Sequence, residues 1–348
     1  MAACQNAGDG EPKLLLFADD DLAELGKEFV DVRSQERRKL GRGRNDSYPS
    51  KPNSVKSNVR AAGLKRCGFL PAEFVNNLAP MKNILISTLA FPSLLAISLH
   101  AKLVTKDVPY EQNGVQLQGY LAYDDEKTTP EKTPGVLVIH EWWGLNQYAK
   151  TRAEDIAKLG YVAFAADMYG TGITTEDPKK AGELAGPFYG KPLMAERAAA
   201  GLEQLKKVPA VDATKLGAIG FCFGGSTCQA LAYSGAPLVG IVSFHGGPVN
   251  APESTGTPIK THFLLLNGAI DPMVTPEARA GLEKSLEAAK IDYQSIDYAG
   301  AVHAFTNPAA DKLASEHGLT GKIGYNAVAA ERSWKQMTAF FADLFADK

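Results

Sequence analysis

The sequence predicts an α/β fold with a mostly parallel sheet, helices on both faces and an antiparallel hairpin at its N-terminal edge. Three observations lead to this prediction. Beyond residue 102, short apolar runs alternate with helical patterns, which is typical of parallel strands joined by crossover helices. Asn113-Gly114, a strong hairpin signal, precedes them. The 348 residues are 45% hydrophobic and 22% charged, a composition typical of a globular protein with ample core.

Each element follows from its local pattern. Alternating residues on both sides of Asn113-Gly114 predict two paired strands between Leu103 and Asp124. Further along, short apolar runs predict strands, and apolar residues every three to four positions predict helices. The expected spans are strand 135–139, helix 146–159, strand 161–166, helix 195–208, strand 216–219, helix 225–232, strands 238–244 and 262–267, helix 275–290, strand 293–298 and helix 326–345. The last helix carries apolar residues expected to cover the sheet: Val328, Trp334, Met337, Phe340, Phe341 and Leu344. The Gly- and Pro-rich segment 167–191 is expected to be an irregular loop or a cap.

Residues 1–101 have a different character. Residues 1–80 lack sustained periodicity and include a polar, basic stretch, which predicts a disordered extension. Residues 81–101 have a basic start, an apolar middle and a small residue at the end, as in a secretory signal peptide. Our hypothesis is that Met81 is the true start, that the protein is exported to the periplasm or the medium, and that residues 102–348 form the catalytic domain. The alternative is an internal apolar helix, buried or anchored in a membrane, in a protein that is otherwise cytoplasmic.

Gly220-Phe221-Cys222-Phe223-Gly224 has the form of a nucleophile elbow with sulfur in place of oxygen. It lies between a predicted strand and a predicted helix. The strained turn that holds such a nucleophile leaves no room for Cβ atoms two residues to either side, which explains the two glycines. The helix N-terminus favours the thiolate form of the cysteine. Taken alone, the motif is equally compatible with a small core cysteine beside a glycine-rich turn.

The later strands supply the partners that this nucleophile needs. A triad on this architecture requires an acid and then a histidine, each in the loop after a later strand. Asp271 follows strand 262–267, and His303 follows strand 293–298. The order Cys222, Asp271, His303 therefore predicts a catalytic triad.

From about Leu103 onward, the sequence resembles the dienelactone hydrolase family of α/β hydrolases. The resemblance is carried by four motifs: 138–144 (VIHEWWG), 220–225 (GFCFGG), 268–271 (GAID) and 300–305 (GAVHAF). It implies an α/β-hydrolase fold with Cys222 as nucleophile, His303 as general base and acid, and Asp271 orienting the imidazole. It also implies that Glu141 lies beside the resting thiol and shifts when substrate binds. A carboxylate there disfavours the thiolate, which would protect the resting cysteine from oxidation.

The same fold geometry identifies the oxyanion donors and the candidate pocket. This fold takes one oxyanion donor from the residue after the nucleophile, which is Phe223, and one from the loop after an early strand, where Trp142 lies. The expected donors are therefore the backbone N–H groups of these two residues. Six side chains are candidates for lining the pocket, against the alternative that they are structural: His140, Trp143, Tyr169, Tyr189, His245 and Phe305.

One departure from the family bears on the substrate. Family members that cleave dienelactone carry arginines that grip the substrate carboxylate, one of them four residues after the histidine. That position is Asn307 here, and the region of the other arginine offers Lys179 and Lys180. Lysine supplies a point charge in place of a bidentate fork. We therefore expect cleavage of esters, lactones or thioesters in general, with dienelactone itself left open.

Other functional classes receive less support. A net charge of −2 gives no electrostatic case for nucleic acid. The sequence has no Cys/His cluster with zinc spacing and no glycine-rich phosphate loop, so we expect no metal and no cofactor. We also expect no stable membrane span, and the oligomeric state is not predicted. Two alternatives to the hydrolase stay open: a non-catalytic binding protein with the same fold, and a thiol redox protein that uses Cys222 and Cys228, although these lack C-x-x-C spacing.

Overall fold

The computed structural model describes residues 102–253 and 258–346, and the predictions made for residues 1–101 lie outside them. The strands are β1 (Leu103–Gln112), β2 (Val115–Asp124), β3 (Thr133–Ile139), β4 (Val162–Ala166), β5 (Val211–Phe221), β6 (Gly240–Phe244), β7 (His262–Gly268) and β8 (Tyr293–Tyr298). The α-helices are α1 (Gln147–Lys158), α2 (Pro178–Ala185), α3 (Leu193–Lys206), α4 (Phe223–Tyr233), α5 (Pro276–Ala288), α6 (Ala310–Glu316) and α7 (Ala327–Phe345).

The strands form one eight-stranded sheet in the order β1-β2-β4-β3-β5-β6-β7-β8. The first two pair as the predicted hairpin, and Asn113 and Gly114 both have positive φ, as a two-residue hairpin turn requires. The β2–β4 pair is also antiparallel, and the remaining neighbours are parallel. This topology confirms the predicted fold class.

Helices cover both faces of the sheet, as predicted. Leu137 and Ile139 of β3 pack in one core with α3, α4 and α5. Val136 and Val138 pack in a second core with α1 and α7. Successive residues of a strand point to opposite faces, so an uninterrupted apolar run such as β3 supplies both cores at once.

Three details differ from the sequence predictions. Segment 167–191 contains α2, which begins at Pro178 with Asp177 as its N-cap; an aspartate before a proline at the first helical position is a readable start signal. The short helix α6 was not predicted. Val328 was expected to cover the sheet, but it is 56% exposed, whereas Met337 and Phe341 of the same helix are fully buried. Val328 lies in the first turn of α7, on the side that faces away from the core.

The carboxyl ends of the six parallel strands, β3 to β8, meet at one edge of the sheet. His140 and Glu141 directly follow β3, and Cys222 directly follows β5. The loops after β6, β7 and β8 begin at the same edge and carry the remaining polar residues of the predicted site. Ligand sites of open α/β sheets form at this edge. Within the described ranges, we find no helix that is both long enough and apolar enough to span a membrane.

Candidate active site

Cys222 lies in a strained turn between β5 and α4, with φ +54° and ψ −115°. Two glycines make the turn possible. A Cβ on Gly220 would lie 2.0 Å from the Gly224 carbonyl oxygen, and one on Gly224 would lie 2.3 Å from the Ile139 carbonyl oxygen. A positive φ at a non-glycine residue costs about 1–3 kcal/mol and persists where the surrounding structure enforces it. The elbow is therefore held by close packing of α4 against the end of β3.

His303 and Asp271 form a buried pair. The imidazole Nδ1 donates to Asp271 Oδ2 at 2.7 Å. Asp271 Oδ1 accepts hydrogen bonds from the backbone N–H groups of Met273 at 2.8 Å and Val274 at 3.2 Å, so both carboxylate oxygens are held. Because the carboxylate can only accept, the proton of a neutral His303 belongs on Nδ1. The other nitrogen, Nε2, is buried and has no hydrogen-bond partner among the described residues.

Cys222 lies close enough to His303 to raise the pKa of the imidazole. Burial alone lowers the pKa of His303, but the negative charges of Cys222 and Asp271 outweigh burial and raise the pKa well above 6.5. The thiol and Nε2 are neighbours in this arrangement without reaching the geometry of a complete hydrogen bond. The structure thus brings together three side chains that the sequence separates by up to 81 positions, from Cys222 to His303.

Glu141 is buried close enough to His303 for the charge of the imidazole to act on its carboxyl group. Its Oε2 accepts a hydrogen bond from the Asn307 side chain at 2.6 Å, whereas Oε1 is buried without a partner among the described residues. Burial raises the pKa of Glu141 to about 7, against the lowering effects of the Asn307 hydrogen bond and the charge of His303. Asn307 is the position at which the resemblance led us to look for an arginine. In this structure the carboxylate pairs with Asn307, and no hydrogen bond from the thiol to it is found among the described residues.

A buried hydrogen-bond chain supports the elbow from below. The Cys222 N–H donates to His245 Nδ1 at 3.2 Å, and His245 Nε2 donates to Thr306 Oγ1 at 2.8 Å. The Tyr148 hydroxyl shares a 2.8 Å hydrogen bond with the same Thr306 oxygen. Burial, followed by the charge of His303, lowers the pKa of His245 well below 6.5, so this ring stays neutral. Neither Thr306 nor Tyr148 belongs to a motif that predicts this role, and the only signal in the sequence is that Thr306 lies close to His303.

The candidate pocket residues separate into two groups. Tyr169 and Tyr189 lie near the nucleophile: burial raises the pKa of both hydroxyls, and the charge of Cys222 raises it further. The other four have little or no exposed surface and lie beneath the site: His140, Trp143, His245 and Phe305. Tyr189 and Trp142 are partly exposed, whereas Tyr169 is only 8% exposed.

The two cysteines of the described chain have different environments. Both are free, but only Cys222 retains exposed surface, and Cys228 is fully buried in the core beneath α4. Burial raises the pKa of the Cys228 thiol, which suppresses its thiolate. Within the described ranges, no group of three or more His, Cys, Asp or Glu side chains is arranged to hold a metal ion.

Comparison with known proteins gives a consistent result. A sequence profile of the dienelactone hydrolase family matches residues 117–345. Among curated proteins, "Protein usf" of Aquifex pyrophilus is 29% identical over 244 residues, covering 68% of this chain and 97% of its own. A protein of Aquifex aeolicus named "Putative carboxymethylenebutenolidase" is 30% identical over 207 residues, covering 58% of this chain and 86% of its own.

Two solved structures agree with this result. P91, described as a dienelactone hydrolase-like promiscuous phosphotriesterase from metagenomic libraries, is 38% identical with a TM-score of 0.65. A protein called m3DLH is 35% identical, also with a TM-score of 0.65. Each similarity covers 70% of this chain and 99% of the other. The profile match runs from β2 to α7 and includes every candidate site residue. This chain therefore belongs to the dienelactone hydrolase family, a family of hydrolases with the α/β-hydrolase fold.

Proposed function

We propose that this protein hydrolyses a carboxylic ester, lactone or thioester through a Cys222-His303-Asp271 triad and a covalent thiol-ester intermediate. One observation carries the proposal. A buried imidazole is held by a carboxylate through Nδ1, while its free Nε2 adjoins a strained cysteine at the N-terminus of α4. The raised pKa of His303 favours an imidazolium paired with a thiolate, which is the activated form of a cysteine nucleophile.

The first half of the reaction forms the thiol ester. The Cys222 thiolate attacks the carbonyl carbon, a C–S bond forms, and the carbonyl oxygen takes the negative charge. The N–H groups of Phe223 and Trp142 are the proposed donors to that oxygen. As the intermediate collapses, the bond to the leaving group breaks, and the His303 imidazolium supplies a proton to the departing oxygen or sulfur.

The second half releases the acid. Neutral His303 takes a proton from water, and the resulting hydroxide attacks the thiol-ester carbonyl. The C–S bond then breaks and returns the thiolate beside the imidazolium. Asp271 keeps the imidazole in the tautomer and orientation that both halves require, because its carboxylate accepts from Nδ1 throughout.

Glu141 enters the proposal as a group that adjusts the charge of the site. Its Oε1 is buried and unpartnered among the described residues, so it is available to accept a proton within the site. With a pKa raised to about 7, this carboxyl can hold or release that proton near neutral pH. Displacement of Glu141 by substrate, as the family resemblance implies, would leave the thiolate paired with His303.

The substrate is proposed to be uncharged near the reacting bond. Asn307 offers an amide, already bonded to Glu141, where the carboxylate-binding arginine of dienelactone cleavage would stand. Asp271 contributes negative charge to the site, and Glu141 does so once it ionises. A substrate carboxylate would therefore meet no guanidinium there, and a neutral ester or lactone is favoured.

A hydrolysis screen tests the proposal. The panel contains nitrophenyl esters of increasing acyl length, lactones and thioesters; because P91 is described as a promiscuous phosphotriesterase, a phosphate triester is added. We expect turnover by the wild-type protein and loss of all turnover in Cys222→Ala. Mass spectrometry after rapid acid quench should find the acyl group on Cys222. Equal turnover in Cys222→Ala would refute the triad.

The same reagents separate the two alternatives. A non-catalytic binding protein would have a thiol unreactive toward iodoacetamide near neutral pH and no turnover of any substrate. A thiol redox protein would lose activity in Cys228→Ser as readily as in Cys222→Ser. The complete burial of Cys228 argues against the redox alternative, so we expect Cys228→Ser to retain turnover.

A further inference from the structure

The loop that carries the proposed Trp142 donor has no regular secondary structure to hold it. It leaves β3 after Ile139 and turns through Trp142 before α1 begins. The Trp142 N–H has no acceptor among the described residues, as expected of a donor reserved for a ligand. Oxyanion donors contribute to catalysis only when they are held in place beforehand. Within the turn, the Gly144 N–H reaches the Glu141 carbonyl oxygen only at 3.3 Å, so the orientation of the peptide groups around Trp142 also depends on side-chain hydrogen bonds.

His140 fixes the peptide that contains this N–H. Its Nδ1 hydrogen-bonds to the Glu141 carbonyl oxygen. That carbonyl belongs to the same planar trans peptide as the Trp142 N–H, and the two groups point in opposite directions. Holding the carbonyl on one side therefore directs the N–H to the other. The tautomer is also determined: the Met168 N–H donates to Nε2 at 3.2 Å, so the single proton of the neutral ring lies on Nδ1.

Tyr169 fixes the next peptide in the same way. Its hydroxyl donates to the Trp142 carbonyl oxygen at 3.0 Å. The peptides on both sides of Trp142 are thus each held by a side-chain hydrogen bond. Both side chains are at most 8% exposed, so water does not compete strongly for these hydrogen bonds.

The His140 imidazole also contacts Phe223, the residue that supplies the other proposed oxyanion donor. The His140 ring packs edge-on against Tyr169, with ring centroids 4.9 Å apart, and stacks with Phe223 at 6.0 Å. Burial lowers the pKa of His140 to about 4, so the ring is neutral and its tautomer stable at neutral pH. One buried ring therefore joins the Trp142 loop to the start of α4.

We propose that His140 and Tyr169 are positioning residues that hold the Trp142 N–H as an oxyanion donor. This role rests on the proposed function. It assigns a purpose to His140, which lies beneath the site without direct access to substrate, and a second purpose to Tyr169 besides its place near Cys222.

Two reactions of the same thiol test this role. Acylation by a 4-nitrophenyl ester develops an oxyanion, whereas alkylation by iodoacetamide does not, so only acylation needs the donor. In Tyr169→Phe and His140→Asn we expect kcat for acylation to fall by about 10–100-fold with KM nearly unchanged, since loss of a whole donor costs about 100-fold or more. The alkylation rate should stay within about twofold of wild type, because the nucleophile itself is intact.

Tyr233→Phe is the matched control. Its hydroxyl donates to the Val249 carbonyl oxygen at 2.9 Å, a bond of the same type that does not involve the Trp142 loop. We expect both of its rates to match wild type. Should His140→Asn fail to fold, Tyr169→Phe decides, because it removes only the hydroxyl.

Three results would overturn the role. Unchanged acylation in folded Tyr169→Phe would refute it directly. A parallel fall of acylation and alkylation would mean that the variant damages the nucleophile and not the oxyanion donor. If the wild-type protein alkylates but cleaves no substrate of the panel, the proposed function itself fails, and that outcome is distinguished by the wild-type assay alone.

Discussion

At the scale of single residues, the site depends on how burial alters ordinary side-chain chemistry. Glu141 has a pKa raised to about 7, His140 has one lowered to about 4, and His303 has one raised well above 6.5. All three are buried at the same edge of the sheet. They differ because Glu141 and His140 respond mainly to desolvation, whereas the charges near His303 outweigh it. Perturbed groups clustered in this way are typical of active sites.

The raised pKa of Glu141 predicts a specific dependence of stability on pH. The unfolded chain releases this proton near 4.5, and the folded protein retains it to about 7. Between these values the folded state binds more protons, so stability falls as pH rises. Glu141→Gln has no carboxyl group to ionise, so its free energy of unfolding should not fall in this way. Relative to wild type, the variant should therefore become more stable as pH rises from 4.5 to about 7, by at most about 3 kcal/mol. Urea unfolding at several pH values measures the difference.

The control for this measurement is Glu196→Gln, on the exposed surface of α3. It makes the same change of charge at an exposed position, so it reports the removal of a charge without the effect of burial. A Glu141→Gln difference that varies with pH no more than that of Glu196→Gln would contradict the raised pKa.

Asn307 predicts a change of substrate preference. Asn307→Arg places a guanidinium where a substrate carboxylate could be bound, and a charge-assisted pair is worth about 1.5–3 kcal/mol. The ratio of kcat/KM for a carboxylate-bearing ester to that for a neutral ester of the same size should rise by about 10-fold or more. Asn307→Gln, which keeps a neutral amide, should leave the ratio unchanged. An unchanged ratio in the arginine variant would mean that residue 307 does not face the substrate.

At the scale of elements, the site is built where α4 presses against the ends of β3 and β6. The Gly224 position touches the Ile139 carbonyl, and the Cys222 N–H is shared between the Phe244 carbonyl and His245. The elbow is therefore positioned by its neighbouring strands as well as by its own sequence. Local strain at Cys222 persists because these contacts leave no alternative path for the chain.

Two glycine substitutions separate close packing from helix propensity. In Gly224→Ala the new Cβ would meet backbone atoms at 2.3 Å, so we expect a loss of about 3 kcal/mol or more and loss of turnover. In Gly182→Ala, within α2, nothing lies within 4 Å of the new Cβ, so we expect a gain of about 0.5–1 kcal/mol. Chemical denaturation measures both. Equal effects from the two substitutions would contradict the packing account of the elbow.

The hydrogen bonds that link His245, Thr306 and Tyr148 predict that Thr306→Val lowers the free energy of unfolding. Valine has a similar shape but leaves the His245 ring N–H and the Tyr148 hydroxyl without their shared partner. A buried unsatisfied group costs about 1–3 kcal/mol, so the variant should unfold at lower denaturant concentration by that amount. Thr306→Ser retains the hydroxyl and should lose less than half as much. Similar losses in the two variants would point to the methyl group and not to the hydrogen bonds.

At the scale of the whole molecule, one sheet edge gathers residues from the loops after six strands into the candidate active site. The family match, the sheet and the candidate site all lie within residues 102–346. The export hypothesis concerns residues 1–101 and stays a prediction. N-terminal sequencing of the native protein tests it: we expect a mature chain that begins near Lys102, after removal of residues 81–101. A product that begins near Met1 would contradict it.

The sequence by itself determined the alternation of strands and helices, the hairpin turn, the glycines of the elbow and the order Cys222, Asp271, His303. These depend on neighbours a few positions apart and on loop placement after strands, so local patterns suffice to predict them. Only the tertiary structure decided that Glu141 pairs with Asn307, 166 positions away, and that His245 bonds Thr306, 61 positions away. Such contacts depend on how distant segments pack, and burial, which controls the pKa of each group, exists only once the packing is complete.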